Sequence, residues 1–271
     1  MTTSQTTRFD EPIEDYHQDD GYLSKSRLSD FLSDPSSFKK EREQIESSSL
    51  TLGSAVHLYF EHGTTDIFQK IPGEYSTQSG WSKHASSRAF LEEQDPGINW
   101  ISKNNLSIIE KIASQVEANS AVKSLVGEIE SHEVSIRWKR KDGFKLKCRP
   151  DAITRDGVIV DWKTTRHVNP LKEFWKSVLD FRYHLQDALY REGAAAAGYS
   201  GEPLKFVAIS TIGSCPVHVV TLPRHASQAG KRLLEEAIEG IQSIEAFGGE
   251  YLPNGYGEEH ELFMPNHLFK E

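Results

Sequence analysis

Cysteine is scarce in this sequence, and its scarcity excludes several kinds of site. The 271 residues include two cysteines, Cys148 and Cys215. Two thiols are too few for a disulfide framework or for a four-cysteine metal or iron–sulfur site. This usage fits a reducing compartment, and we expect a cytoplasmic protein whose two thiols are inert groups in or near the core.

Long apolar runs are also missing. No stretch of about 18 apolar residues occurs, which argues against a membrane-spanning helix. The segment MTTSQTTRFDEPIEDYHQDD at the start lacks the apolar middle of a signal peptide. Because this segment is polar and acidic, we interpret residues 1–20 as a flexible arm, followed by a domain over 21–247 and a tail over 248–271.

An excess of positive charge is absent as well. The formal net charge is −9 at pH 7, which argues mildly against a nucleic-acid partner. Local patches matter more than the total, however. The most basic stretch, RWKRKDGFKLKCR at residues 137–149, leads directly to Asp151.

Two Asp-Gly pairs, Asp142-Gly143 and Asp156-Gly157, are each flanked by apolar or alternating residues. This pattern is typical of β-hairpins, and it predicts three antiparallel strands at about 132–140, 144–153 and 157–163. Helical patterns precede and follow these strands, including one around His57 and a long one that begins at Pro170. The order predicts an α/β fold with a mixed central sheet flanked by helices.

Two acids and a lysine surround the last predicted strand. Alternation places Asp161 and Lys163 on one face, and the Asp-Gly turn lets Asp151 approach Asp161. Two carboxylates repel unless positive charge lies between them, and Mg²⁺ accepts carboxylate oxygens, water and substrate phosphate. Such an ion activates water and offsets charge on a phosphodiester, while a neighbouring lysine orients or deprotonates the water or binds phosphate. The alternative is that Asp151 and Asp156 are turn acids and that Asp161 and Lys163 form a surface ion pair.

The segments CRPD, DWKTT and YHLQDALYREG together resemble the exonuclease domain of RecE, known as exodeoxyribonuclease VIII. They resemble the YqaJ and lambda exonuclease group more loosely, and all belong to the PD-(D/E)XK nuclease superfamily. The early segments YLSKSRLSDFLSDPSSFK and TLGSAVHLYF match the start of that domain. The resemblance covers roughly residues 20–245 and implies a restriction-endonuclease-like core. RecE is much longer, so this chain resembles a free-standing form of its nuclease domain, and we expect it to be encoded by a phage or prophage.

The resemblance implies particular roles for the residues of these motifs. Asp151, Asp161, His57 and the main-chain carbonyl of Trp162 would bind the metal, and Lys163 would position or activate the attacking water. Without the resemblance, a single helical histidine is more often a core or surface group.

The remaining motif residues lie outside the acid–lysine segment. Gln186 and Tyr190 lie four residues apart, on one face of a helix, and would hold the scissile phosphate and the nearby backbone. Glu133 lies in a segment without a sharp motif, at the place on the first strand where the family often has an acid, and it would support the ligands or bind a second metal.

Basic residues near the hairpin are candidates for phosphate contacts, which are independent of sequence and sensitive to salt. Lys145, Lys147 and Arg149 would line the approach to the metal, and Arg166 follows DWKTT. Further candidates lie around the turn and in an early cluster: Arg137, Lys139, Arg140, Lys141, Lys39, Lys40 and Arg42. The alternative is a solvated hairpin tip.

The implied activity is a Mg²⁺-dependent 5′→3′ exonuclease that degrades one strand from double-stranded DNA ends. It would leave 3′ single strands for recombination by single-strand annealing. Mn²⁺ would substitute for Mg²⁺, since a histidine ligand is softer than oxygen. The resemblance also implies a homo-oligomeric ring around DNA and a RecT-type annealing partner. Two other functions stay open: a structure-specific or single-strand endonuclease on the same fold, and a non-catalytic scaffold that binds DNA ends.

Overall fold

The computed structural model describes residues 6–18, 20–38, 51–75, 85–95 and 97–253. The strands in this part of the chain are β1 (Thr6–Phe9), β2 (Phe68–Lys70), β3 (Asn99–Ile101), β4 (Ile129–His132), β5 (Ser135–Lys139), β6 (Lys145–Cys148), β7 (Ala152–Thr154), β8 (Ile159–Thr165), β9 (Lys205–Ser210) and β10 (Val217–Val220). The α-helices are α1 (Ile13–His17), α2 (Lys25–Ser33), α3 (Leu52–His62), α4 (Ala85–Glu92), α5 (Lys103–Ala118), α6 (Ser120–Gly127), α7 (Pro170–Asp180), α8 (Tyr183–Ala196) and α9 (Arg224–Ala246).

A five-stranded sheet with the order β10-β9-β8-β7-β4 forms the centre of the molecule. The β8–β9 pair is parallel and the other pairs are antiparallel, so the sheet is mixed. On one face, α3, α5 and α6 pack over Val160 and Trp162, and on the other α7 and α8 pack over Ile159 and Phe206. The prediction of a mixed sheet flanked by helices is therefore confirmed.

A second sheet, with the order β1-β5-β6, lies beside the first. The two Asp-Gly turns are confirmed, because they join β5 to β6 and β7 to β8, with Gly143 and Gly157 at φ of 89° and 79°. The single strand predicted over 144–153 is wrong. It divides into β6 and β7 in different sheets, and Pro150, which cannot donate to a strand ladder, lies at the division.

The long helix predicted after Pro170 is also wrong, because two helices, α7 and α8, occupy this region. Arg182 separates them with a left-handed backbone at φ of 50°. Contacts with α2 hold the junction: Lys25 Nζ donates to the Phe181 carbonyl at 2.6 Å, and Arg182 donates to Ser33 Oγ at 2.7 Å. The break depends on tertiary contacts, so helix-forming residues alone do not reveal it.

The acidic segment at the start of the chain contributes to the second sheet. β1 pairs antiparallel with β5, and Tyr16 of α1 is buried. The limits of the predicted domain, at residues 21 and 247, stay predictions. No helix in the described ranges has both the length and the apolar character needed to cross a membrane.

Candidate metal centre

Three side chains of the kind that bind metals converge where the two sheets meet. His57 comes from α3, Glu133 from the link between β4 and β5, and Asp151 from the link between β6 and β7. One ligand atom from each lies within 4.8 Å of the other two. His57 Nδ1 is 3.6 Å from Asp151 Oδ1 and 3.9 Å from Glu133 Oε1. The chain passes between the sheets at both links, and this brings the two acids together.

Glu133 is held by an uncommon backbone conformation. Its φ of 52° lies in the left-handed region, which costs free energy for a residue with a side chain. Its N–H donates to the Asp151 carbonyl at 3.1 Å, so the two links are bonded directly. Arg149 Nε also donates to Glu133 Oε2 at 2.9 Å and orients the carboxylate.

The charges in this cluster influence one another. Burial by itself lowers the pKa of His57, but the Asp151 and Glu133 carboxylates raise it to about 9. Burial, and then repulsion from Asp161, raises the pKa of Asp151. Although burial acts to raise it, the pKa of Glu133 is lowered by His57 and Arg149. Two carboxylates therefore meet a single protonated imidazole, and the site favours positive charge between them.

Asp161 and Lys163 lie on one face of β8, as strand alternation predicts, and form a buried ion pair between Asp161 Oδ2 and Lys163 Nζ. Gln186 Nε2 of α8 donates to Asp161 Oδ1 at 2.5 Å. Burial acts to lower the pKa of Lys163, but Asp161 and Asp151 raise it, so the ammonium stays charged. Asp161 is thus adjacent to the cluster of His57, Glu133 and Asp151 without belonging to it, and its predicted role as a metal ligand stays a prediction. The surface ion pair considered from the sequence is excluded, because Asp161 is 1% exposed.

Trp162 connects the two acids through the backbone. Its N–H donates to Asp151 Oδ2 at 2.7 Å, and its ring stacks on Phe60 of α3 with centroids 4.2 Å apart. This packing places α3, and with it His57, against β8. The metal-binding role of the Trp162 carbonyl stays a prediction.

Tyr190, one turn after Gln186 on α8, donates from its hydroxyl to the Arg149 carbonyl at 3.3 Å. Gln186 and Tyr190 therefore both contact the segments that carry the acids. Their predicted contact with a phosphate stays a prediction.

Several cations predicted to contact DNA are instead paired inside the protein. Lys147 donates to Asp20 Oδ1 at 2.9 Å, and Arg137 donates to Asp20 Oδ2 and Glu11 Oε1 at 2.7 Å each. Arg149 donates to the Glu11 carbonyl at 2.7 Å as well as to Glu133.

Acids of the first twenty residues thus cover one side of the basic hairpin. Glu11 and Asp20 could not be predicted as partners from the sequence, because no local motif indicates which distant cation an acid contacts.

The other basic candidates lie in different places. Lys145 is exposed, with its ammonium 5.5 Å from the Tyr22 ring, and Arg166 is exposed after β8. Arg140 pairs with Glu192 and Glu235, at 3.2 and 2.6 Å. Lys139 and Lys141 are exposed near the turn. The early cluster of Lys39, Lys40 and Arg42 lies outside the described residues.

The donors in the cluster fit a divalent cation of the magnesium or manganese type. Carboxylate oxygens suit Mg²⁺, and an added imidazole is a ligand that Mn²⁺ also accepts. The raised pKa of His57 is consistent with this fit, since a proton there supplies positive charge that an ion would supply on binding.

Comparison with solved structures supports the fold. A crystal structure of a provisionally assigned exonuclease from Eubacterium rectale is 18% identical, covers 95% of this chain and 96% of that one, and superimposes with a TM-score of 0.61. A structure of SSO0001 is 17% identical over 81% of this chain and 84% of that one, but its TM-score of 0.30 is too low to support an argument.

Comparison with curated proteins gives no match. A family model described as a PDDEXK-like domain of unknown function (DUF3799) matches residues 24–255. The match includes His57, both acid-bearing links, β8 and α8, and it confirms the PD-(D/E)XK fold expected from the sequence. The chain therefore belongs to this family of PDDEXK-like domains.

Proposed function

We propose that this protein is a metal-dependent nuclease that hydrolyses phosphodiester bonds in DNA. The observation that carries the proposal is the cluster of His57, Glu133 and Asp151 beside the Asp161–Lys163 pair. The fold family supports it, because the chain belongs to a family of PDDEXK-like domains, and Asp151, Asp161 and Lys163 belong to the motif by which it resembles PD-(D/E)XK nucleases.

Each group has a role that follows from its surroundings. His57, Glu133 and Asp151 would hold the cation, which supplies Lewis-acid stabilisation of the phosphodiester and lowers the pKa of water. Lys163 is charged and partly exposed beside Asp161, so it would bind a phosphate oxygen or orient the attacking water. Gln186 fixes the Asp161 carboxylate through its side-chain amide, and Tyr190 fixes the segment that leads into Asp151.

The finer activity that we propose is that of a RecE-type exonuclease. It would degrade one strand of double-stranded DNA in the 5′→3′ direction and leave a 3′ single strand for annealing. A homo-oligomeric ring and a RecT-type partner belong to this proposal, and its DNA substrate would place it in the cytoplasm of a host cell. The motif resemblance supports these finer features, whereas the E. rectale likeness supports exonuclease activity alone.

Linear duplex DNA carrying a label at either the 5′ or the 3′ end tests the activity. With Mg²⁺ or Mn²⁺, we expect early release of a 5′ label as short products and retention of a 3′ label on long strands. Lys163→Ala should lower the rate by about 100-fold or more, since it removes a positioned charge at the reacting phosphate. Intact DNA after removal of chelator and addition of either metal would contradict the proposal.

Covalently closed circular DNA separates the alternatives. An exonuclease leaves the circle intact, whereas a structure-specific or single-strand endonuclease nicks it. A non-catalytic scaffold that binds DNA ends predicts instead that purified wild type and Lys163→Ala behave alike on every substrate.

A further inference from the structure

Helix α7 carries an unusual exposed apolar surface. Leu171, Trp175 and Leu179 follow one another at intervals of four residues and therefore share one side of the helix. Each of these side chains is more than half exposed, as are Val168 before the helix and Phe181 after it. We call this surface the α7 apolar face: Val168, Leu171, Trp175, Leu179 and Phe181.

The α7 apolar face is distinct from the side of α7 that belongs to the core. Phe174 and Val178 already bury that side against β9 and α8. A surface helix ordinarily exposes charged and polar residues opposite its buried stripe. Single exposed apolar side chains are common, but three on one side of a helix, with two more at its ends, indicate a surface that binds something.

Positive charge borders the α7 apolar face. Lys172 and Lys176 are both exposed on neighbouring positions of the helix, and Arg166 is exposed just before it, whereas one exposed acid, Asp180, lies at the end of the helix. Lys176 Nζ lies 6.0 Å from the centre of the Trp175 ring and also pairs with Glu173 at 3.0 Å. Apolar and aromatic groups flanked by cations match a ligand that has flat apolar rings and a negative backbone.

The α7 apolar face is continuous with the candidate metal centre. The exposed Phe181 ring stacks on the buried Tyr183 ring, with centroids 5.7 Å apart. The Lys163 ammonium lies over the Tyr183 ring, 5.1 Å from its centroid. A row of aromatic rings thus leads from Lys163 to the surface of α7.

We propose that the α7 apolar face binds single-stranded DNA next to the metal centre. Unpaired bases would stack on Trp175 and Phe181, while Lys172 and Lys176 contact the phosphates. The assignment rests on the proposed function, and it specifies where an unpaired strand lies during cleavage.

Anisotropy of a fluorescein-labelled oligothymidine, measured in EDTA, separates binding from cleavage. Replacing Trp175 by Ala or by Leu should weaken binding by roughly 5- to 150-fold, the loss expected for one stacked base. Trp175→Phe keeps an aromatic face and should bind nearly as wild type does. Phe247→Ala is the matched control, because Phe247 is 87% exposed but lies at the end of α9.

Light scattering and thermal melting of the same variants complete the test. Trp175→Ala should keep the wild-type mass and melting temperature, since the ring is largely exposed. Equal affinity of wild type, Trp175→Ala and Trp175→Leu would overturn the proposal, and so would failure of the wild type to bind. If affinity is equal and the mass of Trp175→Ala falls, the face is a contact between copies. If DNA is bound through Trp175 but not cleaved with Mg²⁺, the proposed function fails while the assignment of this face stands.

Discussion

At the scale of single residues, the candidate site depends on charges that the protein pairs internally. Asp20 receives hydrogen bonds from both Lys147 and Arg137, whose side chains are only 6% and 9% exposed. These cations cannot regain water if their partner is removed, because the first segment of the chain covers them. The pairing explains why a stretch that looks like an exposed DNA-binding hairpin is partly enclosed.

Asp20→Asn should therefore destabilise the folded protein by about 2 kcal/mol, since it leaves two enclosed cations with one fewer negative charge. The urea midpoint of unfolding measures the effect. Glu117→Gln is the matched control, because Glu117 pairs with Lys123 in full solvent and should change stability by less than about 0.5 kcal/mol. Equal midpoints for the two variants would show that the Asp20 contacts do not form in solution.

The identities of the site residues could be predicted from the sequence better than the contacts that these residues make. Alternation along a strand is a local property, so the meeting of Asp161 with Lys163 could be predicted from their spacing. The meeting of Glu133 with His57 could not, because it depends on a left-handed residue where the chain changes sheets. The contact between Glu11 and Arg137 could not be predicted either, since more than a hundred residues of sequence separate them.

At the scale of secondary-structure elements, helix α8 supports the candidate metal centre. It carries Gln186 and Tyr190 against the two acid-bearing segments, and it packs closely on α9. Gly230 makes this packing possible, because a Cβ atom there would lie 1.8 Å from the His184 carbonyl oxygen. The helices themselves could be predicted from apolar periodicity, but the break between α7 and α8 and the division of the hairpin could not, because each depends on contacts with distant segments.

Gly230→Ala should force α9 away from α8 and destabilise the protein by about 2 kcal/mol or more, as expected for overpacking against a backbone. Melting temperature measures the change. Gly127→Ala, at the end of α6, is the matched control, because a Cβ atom there meets nothing within 4 Å and should leave the melting temperature nearly unchanged. If both variants have the melting temperature of the wild type, α8 and α9 are not as close as the structure places them.

At the scale of the whole molecule, two sheets meet along one line, and the candidate metal centre lies on that line. The chain crosses between the sheets before β5 and again before β7, and each crossing delivers one acid. Helix α3 delivers the histidine from the opposite side, held by the stacking of Phe60 on Trp162.

Anomalous diffraction from crystals soaked in Mn²⁺ shows whether His57, Glu133 and Asp151 bind one cation. We expect a manganese peak bounded by these three side chains, and loss of that peak in Asp151→Asn. A well-ordered structure in which these three side chains are separated, or in which manganese binds elsewhere and not among them, would contradict this expectation.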